Sequence, residues 1–336
     1  MGAHDWVLAL SVGLLALMGR ESSGLTMKHP MRGIVDRVNE NGGPYYGLVM
    51  AYPTEEIALQ ESGFFVPSSD TPSVNLSGRT FHIGTIGSVD VIYVMTGEQI
   101  LNAGITVQIL LDTFDIEGVV HYGTAGSAND SLSLADVSVL EYASLTGSWK
   151  WEEFDSDVGE LAFGDFNFPS RGENLLASVR FTPTQVYSPG KVMEELFWLP
   201  SDSNWFNISS ELQDLELESC INETYCLPET PKVVHGLRGS TADVFLDNAA
   251  YRQFLFTQFN VSTVDEESGA VLMTCLSNEV PCIVFRGVSD LAGGTTGNLS
   301  ETSLSSLASV NALTVAIKFI ELVGQTNITR PRFHSF

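Results

Sequence analysis

From Tyr45 onward, strand-length apolar runs alternate with segments of helical spacing, and few folds can absorb that rhythm. "YGLVMA" is a continuous apolar run, and "PTEEIALQES" after it reads as a helix with Pro53 in its first turn. "RTFHIGTIGSVDVIYVMTG" reads as two strands joined at Gly87–Ser88, a hairpin signal. "NAGITVQILLDTF" has helical spacing, "IEGVVHYGTAG" is a β-branched strand running into a glycine turn, and "ADVSVLEYA" is a further strand. The later part repeats the alternation: strand "KVVHGLRGS", helix "NAAYRQFLFTQF", strand "VSTV", helix "GAVLMTCLSN", strand "PCIVFRGVSD" and closing helix "SLASVNALTVAIKFIELV". Apolar strands separated by helices are buried on both faces, so one α/β domain over residues 45–330 is expected. The hairpin makes its sheet mixed. Residues 147–231 break the rhythm with aromatic, acidic and turn-forming residues, and are expected as an insertion with some structure of its own.

The N-terminal residues follow a different logic. "WVLALSVGLLALMG", Trp6 to Gly19, is too short to span a bilayer comfortably, and the polar "RESSG" follows it. Residues 1–24 therefore read as a secretory signal in preference to a buried helix or tail, although "MGAHD" lacks the usual positive charge. Trp6 stands where myristoylation wants Ser or Thr. Residues 25–44 are expected as a flexible lead-in. Asn-x-Ser/Thr acceptor patterns at Asn75, Asn129, Asn207, Asn222, Asn260, Asn298 and Asn327 fit export, to the outside or to a vacuole. The best acceptors are Asn207 and Asn222, which lie in the insertion. Cys220 and Cys226 bracket the polar "INETY" and fit a small disulfide loop; Cys275 and Cys282 sit in apolar surroundings that suit buried thiols. No cysteine or histidine spacing suits a metal. A net charge of −25 repels phosphate backbones and anionic lipid, so neither nucleic acid nor a membrane is an expected partner of the mature chain.

Three acids in a row, Asp265, Glu266 and Glu267 in "VDEES", stand where a strand meets a helix. Acids in a first helical turn suit the macrodipole, worth about 0.3–1 kcal/mol each. A carboxylate at a strand's carboxyl end also faces the crevice where open α/β sheets bind ligands. Other strand ends tip the balance toward the crevice: Glu55 and Glu56 after the first strand, "TGEQ" after the hairpin, "YGTAGS", and "GVSDLAG" with Asp290. Glycine turns let backbone approach a ligand, and their free amides can bind oxyanions.

"GTAGS" followed by "LADV", then "VDEES" and "FRGVSDLAG", resembles the purine and uridine phosphorylase superfamily, and by motif layout its methylthioadenosine/S-adenosylhomocysteine nucleosidases. The branch is similar to the plant bark and vegetative storage proteins, and the resemblance runs from about Tyr45 to Val323, interrupted by the insertion. It implies a three-layer αβα sandwich around a mixed central sheet, cleavage of a nucleoside's N-glycosidic bond, and a homo-oligomer. No cofactor is implied, phosphate being possible only as a co-substrate. By the family pattern Asp290, with Ser289 beside it, protonates the leaving purine. Glu267 holds the ribose hydroxyls and stabilises the oxocarbenium-like sugar. Glu55, or Glu56 with a one-residue shift, orients the attacking water. Phe245 in "TADVFLDN" stacks on the base, Glu266 faces the ribose, and the turns at Gly97 and at Thr124, Ala125 and Gly126 approach the ligand. The physical logic is consistent with these roles: glycosidic cleavage puts positive charge on the sugar and negative charge on the leaving base, which a carboxylate and a protonated acid respectively stabilise.

Phosphorylases of the superfamily surround phosphate with arginines, one in the first strand's loop and one just before the glycine turn. Here those places hold Pro-Thr-Glu-Glu and His121, which favours water as nucleophile, although a protonated His121 would still pair with phosphate. Two departures stand out. Gln99 replaces the second glycine of a Gly-x-Gly turn, and Glu266 replaces an apolar contact to the ribose. Two functions are therefore expected to compete: a purine nucleosidase, and a nitrogen-storage glycoprotein on a nucleosidase-derived fold.

Overall fold

The computed structural model describes residues 25–152, 161–162, 178–294 and 303–328. The apolar run after Pro44 forms β1 (Tyr45–Met50), and "PTEEIALQES" forms α2 (Pro53–Ser62). The Gly87–Ser88 hairpin joins β4 (Arg79–Ile86) to β5 (Val89–Met95), with β2 (Phe65–Pro67) and β3 (Ser73–Leu76) pairing along β4. Then come α3 (Ile100–Thr113), β6 (Ile116–Ser127) and β7 (Val137–Leu145). After the insertion the chain continues through β16 (Val233–Thr241), α5 (Ala249–Phe259), β17 (Thr263–Asp265), α6 (Ser268–Ser277), β18 (Cys282–Leu291) and α7 (Ser306–Ile328).

The main sheet is mixed, as the hairpin requires. β1 runs parallel to β5 and β6, β18 parallel to β6, and β16 parallel to β7, whereas β4–β5 and β18–β7 are antiparallel. Strand periodicity sorts the core into two layers. Leu48, Met50, Val91, Tyr93, Val120 and Phe285 pack under α2 and α7. Their neighbours Val49, Ile92, Val94, Val119 and Val284 point the other way, toward α3 and α6. Successive side chains of a strand face opposite sides, so continuous apolar runs build both layers at once. The result is a three-layer αβα sandwich. α7 has the length and apolarity to cross a membrane, but here it is a core helix whose Ala312, Val315, Phe319 and Ile320 are buried on the sheet.

Two regions refine the sequence reading. Residues 25–44 are not a flexible lead-in throughout: α1 (Arg32–Asn41) buries Val35 and Val38 against the α3–α6 layer. Tyr45 donates its hydroxyl to Val38 O (3.0 Å), and Asn39 donates to Thr113 O (3.0 Å), which ties the helix down. The insertion holds a small antiparallel sheet of β8 (Trp149–Trp151), β9 (Leu161–Ala162) and β10 (Ser178–Phe181), and a hairpin of β11 (Thr184–Val186) and β12 (Glu194–Leu196). It also returns β13 (Leu199–Pro200) to the main sheet alongside β7, and α4 (Ser203–Ser209) packs Trp205 against Phe319. A last hairpin, β14 (Cys220–Asn222) with β15 (Tyr225–Cys226), is closed by the Cys220–Cys226 disulfide, while Cys275 and Cys282 are free and buried. Asn207 and Asn222 are exposed, and the signal-sequence expectation and Asn298 lie outside the described residues.

Candidate active site

β1 and β18 run parallel to β6, and β17 lies antiparallel against its last residues, so the segments that follow these strands gather along the end of β6. Glu55 arrives from the first turn of α2. Its Oε2 accepts from the amides of Ala51 and Tyr52 (both 2.9 Å), and its Oε1 accepts from the Thr124 amide (2.7 Å) and hydroxyl (3.1 Å). Geometry separates the two glutamates. Glu55 is buried against the glycine turn, whereas Glu56 faces outward to His82 on β4 at 3.8 Å.

The acidic triplet divides three ways. Asp265 turns inward: its Oδ1 accepts from the Thr241 hydroxyl (2.8 Å) and the amides of Glu267 (3.0 Å) and Ser268 (2.9 Å). Burial alone would raise its pKa, but Arg286 and the Ser268 and Thr241 hydrogen bonds hold it below the ordinary carboxylate value. Glu266 is half-buried beside Glu98 and Asp243, and burial with those like charges raises its pKa. Glu267 accepts from the Gln99 amide at Oε1 (3.1 Å) and from Arg286 at Oε2 (3.1 Å). Its pKa is pushed up to about 7, because burial, aided by Asp265 and Glu55, outweighs the lowering by Arg286.

Arg286 is the residue that sequence reasoning missed. A lone arginine inside the apolar "PCIVFRGVSD" was the signal, since a buried charge must be paired. Its side chain is 1% exposed and lies 3.3 Å from Asp265 Oδ2 as well as bonding Glu267. Gly123 was also missed as a site residue: any side chain there would collide with the Arg286 guanidinium on one side and the Glu55 carboxylate on the other. The cation that bonds Glu267 therefore also lies close to Glu55.

His121 overturns one expectation. It is fully buried, with Nδ1 3.0 Å from Val49 O and Nε2 2.7 Å from Arg286 Nη2. Burial and the Arg286 charge push its pKa down to about 3, so it is neutral and cannot serve as the cation that pairs with phosphate.

Asp290 and Ser289 sit on a bulge. The β18–β6 register shifts between Val288 and Asp290, and bulges of this kind re-aim side chains. The Ser289 hydroxyl contacts Asp290 Oδ1 at 2.6 Å and Ala125 O at 3.2 Å, and Asp290 is half-buried opposite Gly126. Gly126 serves packing, since a Cβ there would press on Ala292 and Val264 at 3.1 and 3.2 Å. Gly97 (φ 79°) and Gln99 (φ 82°, ψ 152°) make the turn that delivers the Gln99 amide to Glu267. Phe245 is not gathered with the carboxylates. It is 84% exposed, beside a cavity of about 690 Å³ lined also by Ile100, Leu145, Trp149, Leu246 and Tyr251. That cavity nonetheless adjoins the Glu267 carboxylate, because Asp243 accepts the amide of Ile100 (2.8 Å), the residue after Gln99, whose own amide bonds Glu267.

Residues 45–321 match the family model of the phosphorylase superfamily. Bark storage protein A of Populus deltoides is 43% identical over 279 residues, covering 82% of this chain and 88% of that protein. The 5′-methylthioadenosine/S-adenosylhomocysteine nucleosidase of Colwellia psychrerythraea is 25% identical over 277 residues, covering 82% and 94%. The solved structure of a nucleosidase of that description from C. psychrerythraea, in complex with adenine, gives a TM-score of 0.58 at 22% identity, covering 83% of this chain and 95% of its own. Futalosine hydrolase of Helicobacter pylori gives 0.55 at 18%, covering 84% and 97%. These structural likenesses carry the fold.

Proposed function

The chain belongs to the phosphorylase superfamily, in the branch of the bark storage proteins, and on that premise we propose that it hydrolyses the N-glycosidic bond of a purine nucleoside. One observation carries the choice of water over phosphate. The place where a phosphate cation is expected holds a neutral, fully bonded His121; Arg286, the one buried arginine among the described residues, is committed to Glu267 and Asp265; and the Glu55 carboxylate lies against Gly123, two residues on. A carboxylate beside the nucleophile repels phosphate but polarises water.

In this reading Glu55, fixed by its four donors, takes a proton from the attacking water. Glu267 binds the ribose hydroxyls and, when ionised, stabilises the oxocarbenium-like sugar, with Arg286 balancing its charge. Asp290, aimed by the bulge and by Ser289, gives its proton to the purine as the bond breaks. Phe245 supplies an apolar face at the base side. The names of the nucleosidase relatives support this ligand class. Passage through the secretory pathway, to the outside or to a vacuole, belongs to the same proposal and rests on the apolar Trp6–Gly19 run and the glycosylation acceptors.

A second reading, nitrogen storage with little or no turnover, is favoured by two features. The bark storage proteins are the more similar relatives, at 43% against 25% for the nucleosidase. Gln99 and Glu266 also add bulk and charge at the mouth of the sugar side. Release of free base from a panel of purine nucleosides, with and without phosphate, at mildly acidic and neutral pH, separates the readings. Hydrolysis predicts phosphate-independent release that falls on the order of 100-fold or more in Asp290→Asn. Phosphate-dependent release would make phosphate a co-substrate. Absence of turnover in folded protein would leave storage as the function.

A further inference from the structure

A guanidinium buried among carboxylates has several places to point, and something must choose between them. Arg286 spends its donors on Ser268 Oγ (2.9 Å from Nε), Thr124 O (3.2 Å from Nη1), Glu267 Oε2 (3.1 Å from Nη2) and His121 Nε2 (2.7 Å from Nη2). Guanidinium only donates, so Nε2 of His121 must accept and carries no proton. The opposite nitrogen, Nδ1, faces the carbonyl of Val49 at 3.0 Å, and a carbonyl only accepts, so Nδ1 carries the hydrogen. The partners alone assign His121 as the neutral Nδ1–H tautomer.

We propose that His121 is a positioning residue: as a neutral acceptor it holds the Arg286 guanidinium on the sugar-side carboxylate Glu267 and off the water-side carboxylate Glu55. The proposal deepens the hydrolytic reading of the same site and rests on it. The ionisable groups around the pair are Glu55 from α2, Asp265 from β17, and Glu267 at the start of α6. Arg286 bonds Glu267, and Glu55 is within its reach: Arg286 Nη1 and the Glu55 carboxylate both crowd Gly123, and both glutamates favour the charge on Arg286. The guanidinium is a rigid planar fork, so fixing Nη2 on His121 fixes the whole group. Released from that acceptor, the cation would shift toward Glu55 and quench the carboxylate that is to accept the water's proton. It would also leave Glu267 less well neutralised. A protonated His121 would set donor against donor, so the arrangement also excludes the charged imidazole.

The test uses the full chain and two variants, His121→Leu, which removes the acceptor, and His121→Gln, whose amide oxygen falls near the place of Nε2. In ¹⁵N-labelled parent protein, the imidazole absent from both variants is assigned to His121. It is expected to stay in the Nδ1–H tautomer from pH 8 to pH 5. An Nε2–H tautomer, or titration near the ordinary histidine value, overturns the proposal. The Arg286 guanidinium protons are expected to exchange slowly in the parent and in His121→Gln, and fast in His121→Leu; equal exchange in all three also overturns it. Circular dichroism confirms that each variant is folded. On a nucleoside that the parent hydrolyses, His121→Leu should lower kcat by roughly 10- to 100-fold and move the acid limb of the pH profile upward, with His121→Gln recovering most of both. Equal losses in the two variants would reduce His121 to packing. Should the parent cleave no nucleoside, the hydrolytic reading fails, and the resonance measurements still decide the tautomer and the hold on Arg286.

Discussion

The proposed sugar side and base side of the site differ in how much of the protein holds them. On the sugar side Glu55, Glu267, Arg286 and His121 are all buried, and their polar atoms bond one another or the backbone. On the base side Phe245 is 84% exposed, and the half-buried Asp290 is steadied chiefly by its neighbour Ser289. Charge explains the contrast. Groups that carry charge in a low-dielectric interior must be paired before any ligand arrives, whereas an aromatic face can be ordered by the ligand itself. The sugar side is therefore part of the folding problem, and the base side is free to vary with the substrate.

The strongest way to break that comparison is to remove the cation. Arg286→Leu leaves Asp265 and Glu267 buried without their partner, and losing one member of such a pair costs about 3–5 kcal/mol. Phe245→Ala on the base side should stay within about 0.5 kcal/mol, as for an exposed residue. Urea denaturation of both variants at neutral pH reads the difference. Equal losses would show that the two sides are not built differently.

A pH series sharpens the same contrast. Glu267 is held near 7 in the folded chain against an ordinary 4.5, so the folded state binds its proton more tightly than the unfolded chain does. Stability is therefore lost as pH rises from about 4.5 to about 7, by up to about 3 kcal/mol. His121 works in the opposite sense: its pKa falls from 6.5 to about 3, so stability is lost as pH drops below 6.5, by about 2 kcal/mol at pH 5. The two effects offset each other in mildly acidic solution. Glu267→Gln removes only the first, so its stability relative to the parent should increase from pH 5 to about pH 7 and level off above it. A constant difference across that series would mean that Glu267 ionises as if it were on the surface. Activity should follow the same group, rising toward pH 7 and above as Glu267 ionises.

The fold was legible because its signals are local. Each apolar run fixes a strand, each helical spacing a layer, and the Gly87–Ser88 turn fixes the antiparallel edge of the sheet. Candidate site residues were legible where a motif stands at a strand end, as with the proposed roles of Glu267 and Asp290. Pairing across the sheet was not. Whether Glu55 or Glu56 turns inward depends on the Thr124 amide, 69 residues away in sequence. The state of His121 depends on Arg286, 165 residues away, and a histidine beside a glycine turn looks alike on paper whether neutral or charged. Arg286 was the missed clue, an arginine in a strand that must be dry. The segment of residues 25–44 failed for the converse reason: Val35 and Val38 are too few to announce a helix until the α3–α6 layer is there to receive them.

The smallest expected effect lies at the boundary between the two sides. Gln99 holds φ 82° and ψ 152°, a conformation that is essentially reserved for glycine. Its amide nonetheless reaches Glu267, so the sugar side imposes the backbone and the residue tolerates it. Strain of this kind costs about 1–3 kcal/mol, while glycine carries about 0.5–1 kcal/mol of extra chain entropy. Gln99→Gly should therefore stabilise the protein by roughly 1 kcal/mol, read as a higher melting temperature. The kinetics then say why glutamine is there. If the stabler variant binds or cleaves nucleosides less well, the exposed side chain takes part in recognition and the strain is kept for function. If turnover rises, Gln99 obstructs a nucleosidase site, as expected of a chain whose site has drifted toward storage; unchanged turnover would make the side chain a bystander. Unaltered stability would mean that the turn relaxes without glycine, and the boundary would then be softer than the buried carboxylates it serves.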